Sequence, residues 1–470
     1  MAPSPELLGR LDPSASTYLQ ALRERVVIFD GAMGTNLQLL GLGPDDFGGP
    51  ELEGCNEVLV ESKPELVAQV HRSFFDVGCD VVETDTFGST SVVLAEYGLA
   101  DRARELTRTA AELACAVRNE FDTPSRPRWV AGSMGPGTKF PTLGQISYAE
   151  FRDAYEEQAL GLLEGGVDLL LIETQFDLLS IKAAINGARR AMAALDRIVP
   201  VQAQVTIELT GRMLPGTEIG AALTVLDAMQ VDVVGLNCAT GPVEMSEALR
   251  HLSGASRVPI ACVPNAGLPS VVDGKMHYDL TPEGLAEHLH RFVTEFGVSA
   301  VGGCCGTTPE HLATVVEQCA GAAIAPRTPV HEPAAASIYT SVPFKQDTSF
   351  LVVGERTNAN GSKAFRDAML AADWDTCVAM AQDQVKEGSH LIDVCVDYTG
   401  ADGVADMTEV ASRLPRPSTR QCRSSRTPRS SWWASAPTPT GRRHSARPCW
   451  RPTGTPVSPW RGTRSRRAPT

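Results

Sequence analysis

The densest reactive chemistry in the chain lies in Gly302-Gly303-Cys304-Cys305-Gly306-Thr307-Thr308-Pro309-Glu310-His311. Two adjacent thiols stand where an apolar run, Val298 to Gly302, passes through glycines into a helix start near Pro309. A third thiol, Cys238, ends another apolar run that begins at Val231. Three thiolates on neighbouring strand ends can hold one zinc ion and leave the fourth tetrahedral position open, the arrangement of a catalytic rather than a structural site. Spacing alone leaves a plainer reading open, because free cysteines are commonly buried as small hydrophobes and Cys-Cys lacks the Cys-x-x-Cys spacing of zinc fingers. A redox pair of Cys304 and Cys305 would close a strained ring and leave Cys238 without a role.

The elements that must position these thiols are read from apolar runs alternating with helical periodicity. Strands are expected at Val26 to Asp30, Val81 to Phe87, Trp129 to Ser133, Leu169 to Glu173, Val201 to Thr206, Val231 to Asn237, Pro259 to Pro264 and Ala300 to Gly303. Helices fall between them, among them Pro64 to Val77, Tyr148 to Glu164, Met245 to Leu252 and Pro282 to Phe296, after a helical lead-in at Ser16 to Arg25. Eight βα units in ~310 residues predict an α/β fold, a (β/α)8 TIM barrel over residues 20–325 following a lead-in over residues 1–19. The C-terminal strand ends then converge on one face and carry Asp30, Thr84, Thr86, Ser133, Glu173, Asn237, Cys238, Asn265, Cys304 and Cys305.

Zinc bound by sulfur deprotonates a thiol ligand outright, so this site suits thiol activation for alkyl transfer. Asp30 and Glu173 fit the ammonium group of an amino-acid substrate, or else cap adjacent loops. Gly31 and Gly34 allow close backbone approach to a ligand carboxylate, or form a plain tight turn. Thr84, Thr86 and Ser133 either donate to a ligand or satisfy turns.

Residues 326–348 are rich in Ala, Pro, Ser and Thr and read as a linker. A new βαβ start follows over residues 349–413, with strands Phe350 to Asn358 and Leu391 to Asp397 around a helix at Trp374 to Glu387. Beyond Glu409 there are 14 Arg but no Asp, Glu or Lys; without them the chain holds 28 basic against 56 acidic residues, a net charge of −28. Such an acidic body disfavours nonspecific nucleic-acid binding. The Arg-, Ser- and Pro-rich residues 414–470 read as a disordered tail, with a nucleic-acid-binding arm as the rival. The absence of a signal segment or an apolar run of 18 residues points to a cytoplasmic protein with no membrane span, and 12 unevenly spaced cysteines favour metal or thiol chemistry over disulfides.

The segments FDGAMGTNLQ, ETDTFGST, GSMGPGTK, ETQFDLL, GLNCATGP, PNAGLP and GGCCGTTPEH resemble the homocysteine S-methyltransferase barrel. GERTNANGSKAFRD and HLIDVCVDY resemble the opening of the pterin-binding barrel that succeeds it in cobalamin-dependent methionine synthases. The resemblance implies zinc on Cys238, Cys304 and Cys305, homocysteine thiolate at the open position, and Asn265 in that position when substrate is absent. It implies that Asp30 and Glu173, the backbone at Ala32 and Met33, and the hydroxyl of Thr84 hold the amino-acid end. It further implies methylcobalamin as methyl donor, remethylated by methyltetrahydrofolate on the second barrel, where Glu355, Asn358 and Asp393 match pterin-site positions. Cys395 stands where many pterin barrels have Asn, and no Asp-x-His-x-x-Gly segment for cobalt is present. The expectation is a methyltransferase fragment that reaches folate and cobalamin through modules outside this chain. Rivals are a homocysteine methyltransferase using betaine or S-methylmethionine and a zinc-stabilised binding protein with a basic tail.

Overall fold

In a computed structural model, which describes residues 9–272 and 275–413, eight parallel strands form one sheet. They are β1 (Val27–Ile28), β2 (Val81–Glu83), β3 (Trp129–Met134), β4 (Leu169–Gln175), β5 (Val201–Val205), β6 (Val233–Asn237), β7 (Ile260–Val263) and, after an inserted antiparallel hairpin of β8 (Pro269–Val272) and β9 (Lys275–Tyr278), β10 (Ala300–Val301). The order β1-β10-β7-β6-β5-β4-β3-β2 is closed into a ring by a parallel bridge between Phe29 and Val81. The expected TIM barrel is therefore present, and the hairpin is an element that apolar periodicity did not announce.

The two sides of each strand enter different packing layers. Val26, Ile28, Val82, Leu170 and Ile172 point outward and pack with the helices, whereas Val27, Phe29, Val81, Trp129, Ala131, Leu169, Leu171, Val233, Ala261 and Ala300 fill the interior. Tyr18, from the lead-in helix Thr17–Glu24, closes one end of that interior edge-on against Phe29 and Trp129, at 6.2 and 5.9 Å between ring centroids. The outer helices show the sequence logic plainly. Pro64–Val77 buries Val67, Ala68, Val70, His71, Phe74 and Phe75, a helical stripe, and stops at Gly78 with φ 107°. Tyr148–Gly165 starts on a Ser147/Glu150 capping box and stops at Gly166 with φ 97°.

Aspartates immediately before alternate strands stitch the ring from its other end. Asp80 accepts the Ile28 N–H at 3.0 Å, Asp168 that of Val130 at 2.7 Å, and Asp232 that of Val201 at 2.8 Å. Each faces guanidinium groups: Asp80 is paired with Arg128 at 2.9 Å and Arg25 at 2.7 Å, and Asp168 with Arg118 at 2.7 Å. Removing Asp80 would leave the buried Arg128 guanidinium uncompensated, which costs about 3–5 kcal/mol, whereas Asp80 without Arg128 keeps Arg25.

The segment expected as a linker carries a short antiparallel pair, β11 (Ala334–Ala336) and β12 (Ser341–Pro343), and is tied to the barrel where Glu218 donates to the Tyr339 carbonyl at 2.8 Å. Beyond it, β13 (Val353–Asn358) and β14 (Leu391–Cys395) pair in parallel around the helix Trp374–Lys386. Several apolar side chains on and beside this pair face solvent, including Phe350 at 87% exposure. A broad, open concavity of about 1170 Å3 lies along β14, lined in part by Cys395, Asp397 and Met407. The tail over residues 414–470 and the first eight residues of the lead-in lie outside the described residues. Among the described residues, no helix is long and apolar enough to cross a membrane.

Candidate active site

Strand parity places the polar mouth. On β4 the interior residues are Leu169 and Leu171, so two further residues bring Glu173 inward at the strand end; the same step carries Ala131 to Ser133 on β3, and two such steps carry Val233 to Asn237 on β6.

Cys238 follows β6 with φ 60°, a left-handed conformation that costs a non-glycine residue about 1 kcal/mol or more and that clusters at functional sites. Its N–H donates to the Val263 carbonyl at 3.2 Å. Cys304 and Cys305 follow β10, where the Cys304 N–H bonds the Pro264 carbonyl at 2.8 Å and the Cys305 carbonyl accepts from Ala266 at 2.9 Å. Backbone hydrogen bonds therefore lock the loops after β6, β7 and β10 to one another. The three Sγ atoms lie within 4.8 Å of one another, and those of Cys238 and Cys305 are 3.8 Å apart. Tetrahedral zinc with Zn–S bonds of about 2.3 Å requires S···S edges of about 3.8 Å. The residues present fit that ion in donor type, number and spacing. Hydrogen bonds from Cys238 and Cys304, aided by the Tyr278 hydroxyl, hold Cys305 well below the ordinary thiol range, while Cys304 is pushed well above it by those thiol hydrogen bonds and by burial.

Glu173 accepts hydrogen bonds from Ser133 Oγ at 2.5 Å, Asn237 Nδ2 at 3.0 Å and Thr174 Oγ1 at 3.4 Å. Burial nevertheless pushes its carboxyl up to about 7, against the pull of the Ser133 bond and with the Cys305 thiolate adding to the rise. Asp30 is 2% exposed, and burial pushes it well above the usual carboxylate range. Its Oδ2 accepts the Glu83 N–H at 3.0 Å, and its buried Oδ1 has no hydrogen-bond partner. Asn265, just past β7, is likewise buried with an unpartnered Oδ1. Ala32 caps the short helix Met33–Leu39 without a side-chain bond and lies 3.4 Å by its N from Thr307 Oγ1. The Thr84 hydroxyl is engaged within the fold: it accepts the Ser133 N–H at 3.0 Å and pairs with Thr86 Oγ1 at 2.6 Å, while Thr86 donates to the Ser133 carbonyl.

The family model described as homocysteine S-methyltransferase matches residues 27–319. The chain belongs to the homocysteine S-methyltransferase family. A model described as pterin binding enzyme matches residues 354–421. Among curated relatives, methionine synthase of Mycobacterium tuberculosis is 54% identical over 401 residues and that of Mycobacterium leprae 52% over 407, each match spanning 85% of this chain and 34% of the relative. The chain thus spans about a third of the length of the curated relatives it matches. The homocysteine methyltransferase MmuM from Escherichia coli, in its metallated form, shares the fold at TM-score 0.53 and 24% identity, over 65% of this chain and 99% of that one.

Three further residues belong to the mouth. Asn237 was visible as a polar strand end but not as the bridge between Glu173 and the thiols, its Nδ2 lying 4.0 Å from Cys304 Sγ. Glu83 sits two residues after interior Val81 and beside Glu173, a position that parity would have disclosed. Tyr278 comes from the β8–β9 hairpin, with no local signal. In the second segment, Asn358 Nδ2 meets Asp393 Oδ2 at 2.9 Å, so these two are brought together, while Glu355 lies exposed on β13.

Proposed function

We propose that the chain is the homocysteine-activating part of a methionine synthase, in which Cys238, Cys304 and Cys305 hold zinc. The 3.8 Å separation of Cys238 and Cys305 Sγ, an edge of the right length for tetrahedral zinc, carries this reading. Bound zinc would supply Lewis acidity that deprotonates a thiol at neutral pH. The protein's own groups do the rest: Asp30 and Glu173 receive the ammonium of homocysteine, the backbone at Ala32 and Met33 lies beside its carboxylate, and Asn265 Oδ1 is an oxygen donor available when no thiol is bound. The methyl group comes from methylcobalamin, restored by methyltetrahydrofolate. Asn358, Asp393 and Glu355 belong to the pterin side, and the remaining folate contacts and the cobalamin lie in other parts of the longer relatives. The pterin match following the barrel favours this donor over betaine or S-methylmethionine. The enzyme works in the cytoplasm and binds no nucleic acid.

Zinc content and methionine formation from added methylcobalamin, measured on the wild type and on Cys304→Ser, test this reading. About one zinc per chain, lost with activity in the variant, is the expected result; zinc indifferent to the substitution would return the thiols to the core.

A further inference from the structure

Strand parity turns Glu83 into the barrel mouth two residues after interior Val81, beside β1 and facing β4. Its carboxyl lies beside that of Glu173, and its backbone N–H donates to Asp30 Oδ2 at 3.0 Å. The charges acting on these three carboxyls are chiefly one another and the Cys305 thiolate. Both Glu173 oxygens already serve as acceptors, Oε1 for Ser133 and Oε2 for Asn237 and Thr174. Asp30 has one oxygen committed, and its other, Oδ1, is buried with no partner. An ammonium group brings three N–H donors and one positive charge. Asp30 Oδ1 and part of Glu173 remain open to such a group, and Glu83 sets a third carboxyl beside them, adding negative charge and further acceptors for the same cation.

We propose that Glu83 is a third carboxylate of the ammonium-binding pocket, and that it makes the site selective for thiols carrying a cationic amino group over otherwise identical thiols that lack one. The inference rests on the homocysteine reading above and names the residue that reading lacks. A buried charge-assisted hydrogen bond is among the stronger polar contacts, so losing it is felt as at least a tenfold change in affinity.

The test compares L-homocysteine with 4-mercaptobutanoate, the same thiol acid without the amino group, by calorimetry on the zinc-loaded chain. Glu83→Gln is expected to weaken homocysteine binding about tenfold or more while leaving 4-mercaptobutanoate binding and zinc content unchanged. Glu83→Asp, which keeps the charge but withdraws it by one methylene, is expected to give a smaller loss confined to homocysteine, and it serves if the Gln variant does not fold. Equal weakening of both ligands would make Glu83 a structural residue, and no weakening of either would leave it outside the pocket; each result overturns the proposal while the homocysteine reading stands. A wild-type chain that binds neither thiol would overturn that reading, and this inference with it.

Discussion

Asn237 is the most informative single position in the mouth, because one amide ties three groups together. Its Oδ1 accepts the Thr174 N–H at 2.7 Å, and its Nδ2 donates to Thr174 Oγ1 at 2.8 Å and to Glu173 Oε2 at 3.0 Å, all out of contact with solvent. Thr174 has φ 54°, so this amide also holds a residue in a conformation that its β-branched side chain resists. Asn237→Ala deletes the amide, strands the Thr174 N–H and removes one of the three hydrogen bonds on the Glu173 carboxyl. A buried group left unsatisfied costs about 1–3 kcal/mol and a lost hydrogen bond to a charged group about 1.5–3 kcal/mol, so the variant should lose about 3 kcal/mol or more of unfolding free energy. Asn237→Asp keeps the shape but turns the donor into a carboxylate facing Glu173, and should be no better tolerated at neutral pH. Urea unfolding followed by circular dichroism reads the loss as a lower midpoint at unchanged slope. A shift worth less than about 1 kcal/mol for both variants would refute the claim that this amide organises the mouth.

Glu173 and His71 should impose opposite pH dependences on the metal-free chain. Glu173 titrates near 7 when folded against an ordinary 4.5, so its contribution is complete below pH 4.5 and is lost as pH rises through 7; the difference amounts to about 3 kcal/mol, and Glu173→Gln should flatten that limb of a stability–pH curve. Burial lowers His71 to about 4 from an ordinary 6.5, so its contribution is present above pH 6.5 and is lost as pH falls towards 4. His71→Leu, which removes two buried ring nitrogens without hydrogen-bond partners, should abolish that acid-side loss of about 3 kcal/mol in the same titration. Gly235→Ala on β6 would set a Cβ 2.7 Å from the Ala261 carbonyl oxygen, which is backbone and cannot step aside; the melting temperature should fall by the equivalent of about 1–3 kcal/mol, whereas a wild-type melting temperature would show that the β6–β7 seam is looser than described.

The barrel was legible because its signal is repeated: eight apolar runs, each followed by a helical stripe, leave little freedom in topology once parallel crossovers are assumed. The thiol triad was legible for the same reason, since Cys238 and Cys304 end strands that flank β7. What escaped has no repetition. The β8–β9 hairpin that delivers Tyr278 to Cys305 interrupts the βα rhythm once, and a lone tyrosine in a loop carries no mark of its partner. Thr84, Thr86 and Ser133 read equally as ligand donors or as braces, and it takes atomic distances to show Thr84 engaged with Thr86 and the Ser133 backbone. Glu83 was hidden by its neighbours, as the threonines beside it drew the reading of that strand.

The ring does not join itself with equal strength all the way round. Between β4 and β5 or β5 and β6 the register runs through four paired residues, whereas β1 meets β2 through a single bridge. That joint holds two backbone bonds, Asp80 N to Ile28 O and Asp30 N to Val81 O, extended at either end by an aspartate side chain, Asp80 on Ile28 and Asp30 on Glu83. A short ladder of this kind opens at lower free energy than a long one, so the amides of residues 28–30 and 81–83 should exchange with deuterium first among the barrel strands. Asp30 is both the last rung of that joint and a wall of the mouth, so whatever cation lodges there also hoops the barrel, and slower exchange along β1 becomes a record of occupancy that needs no turnover to read.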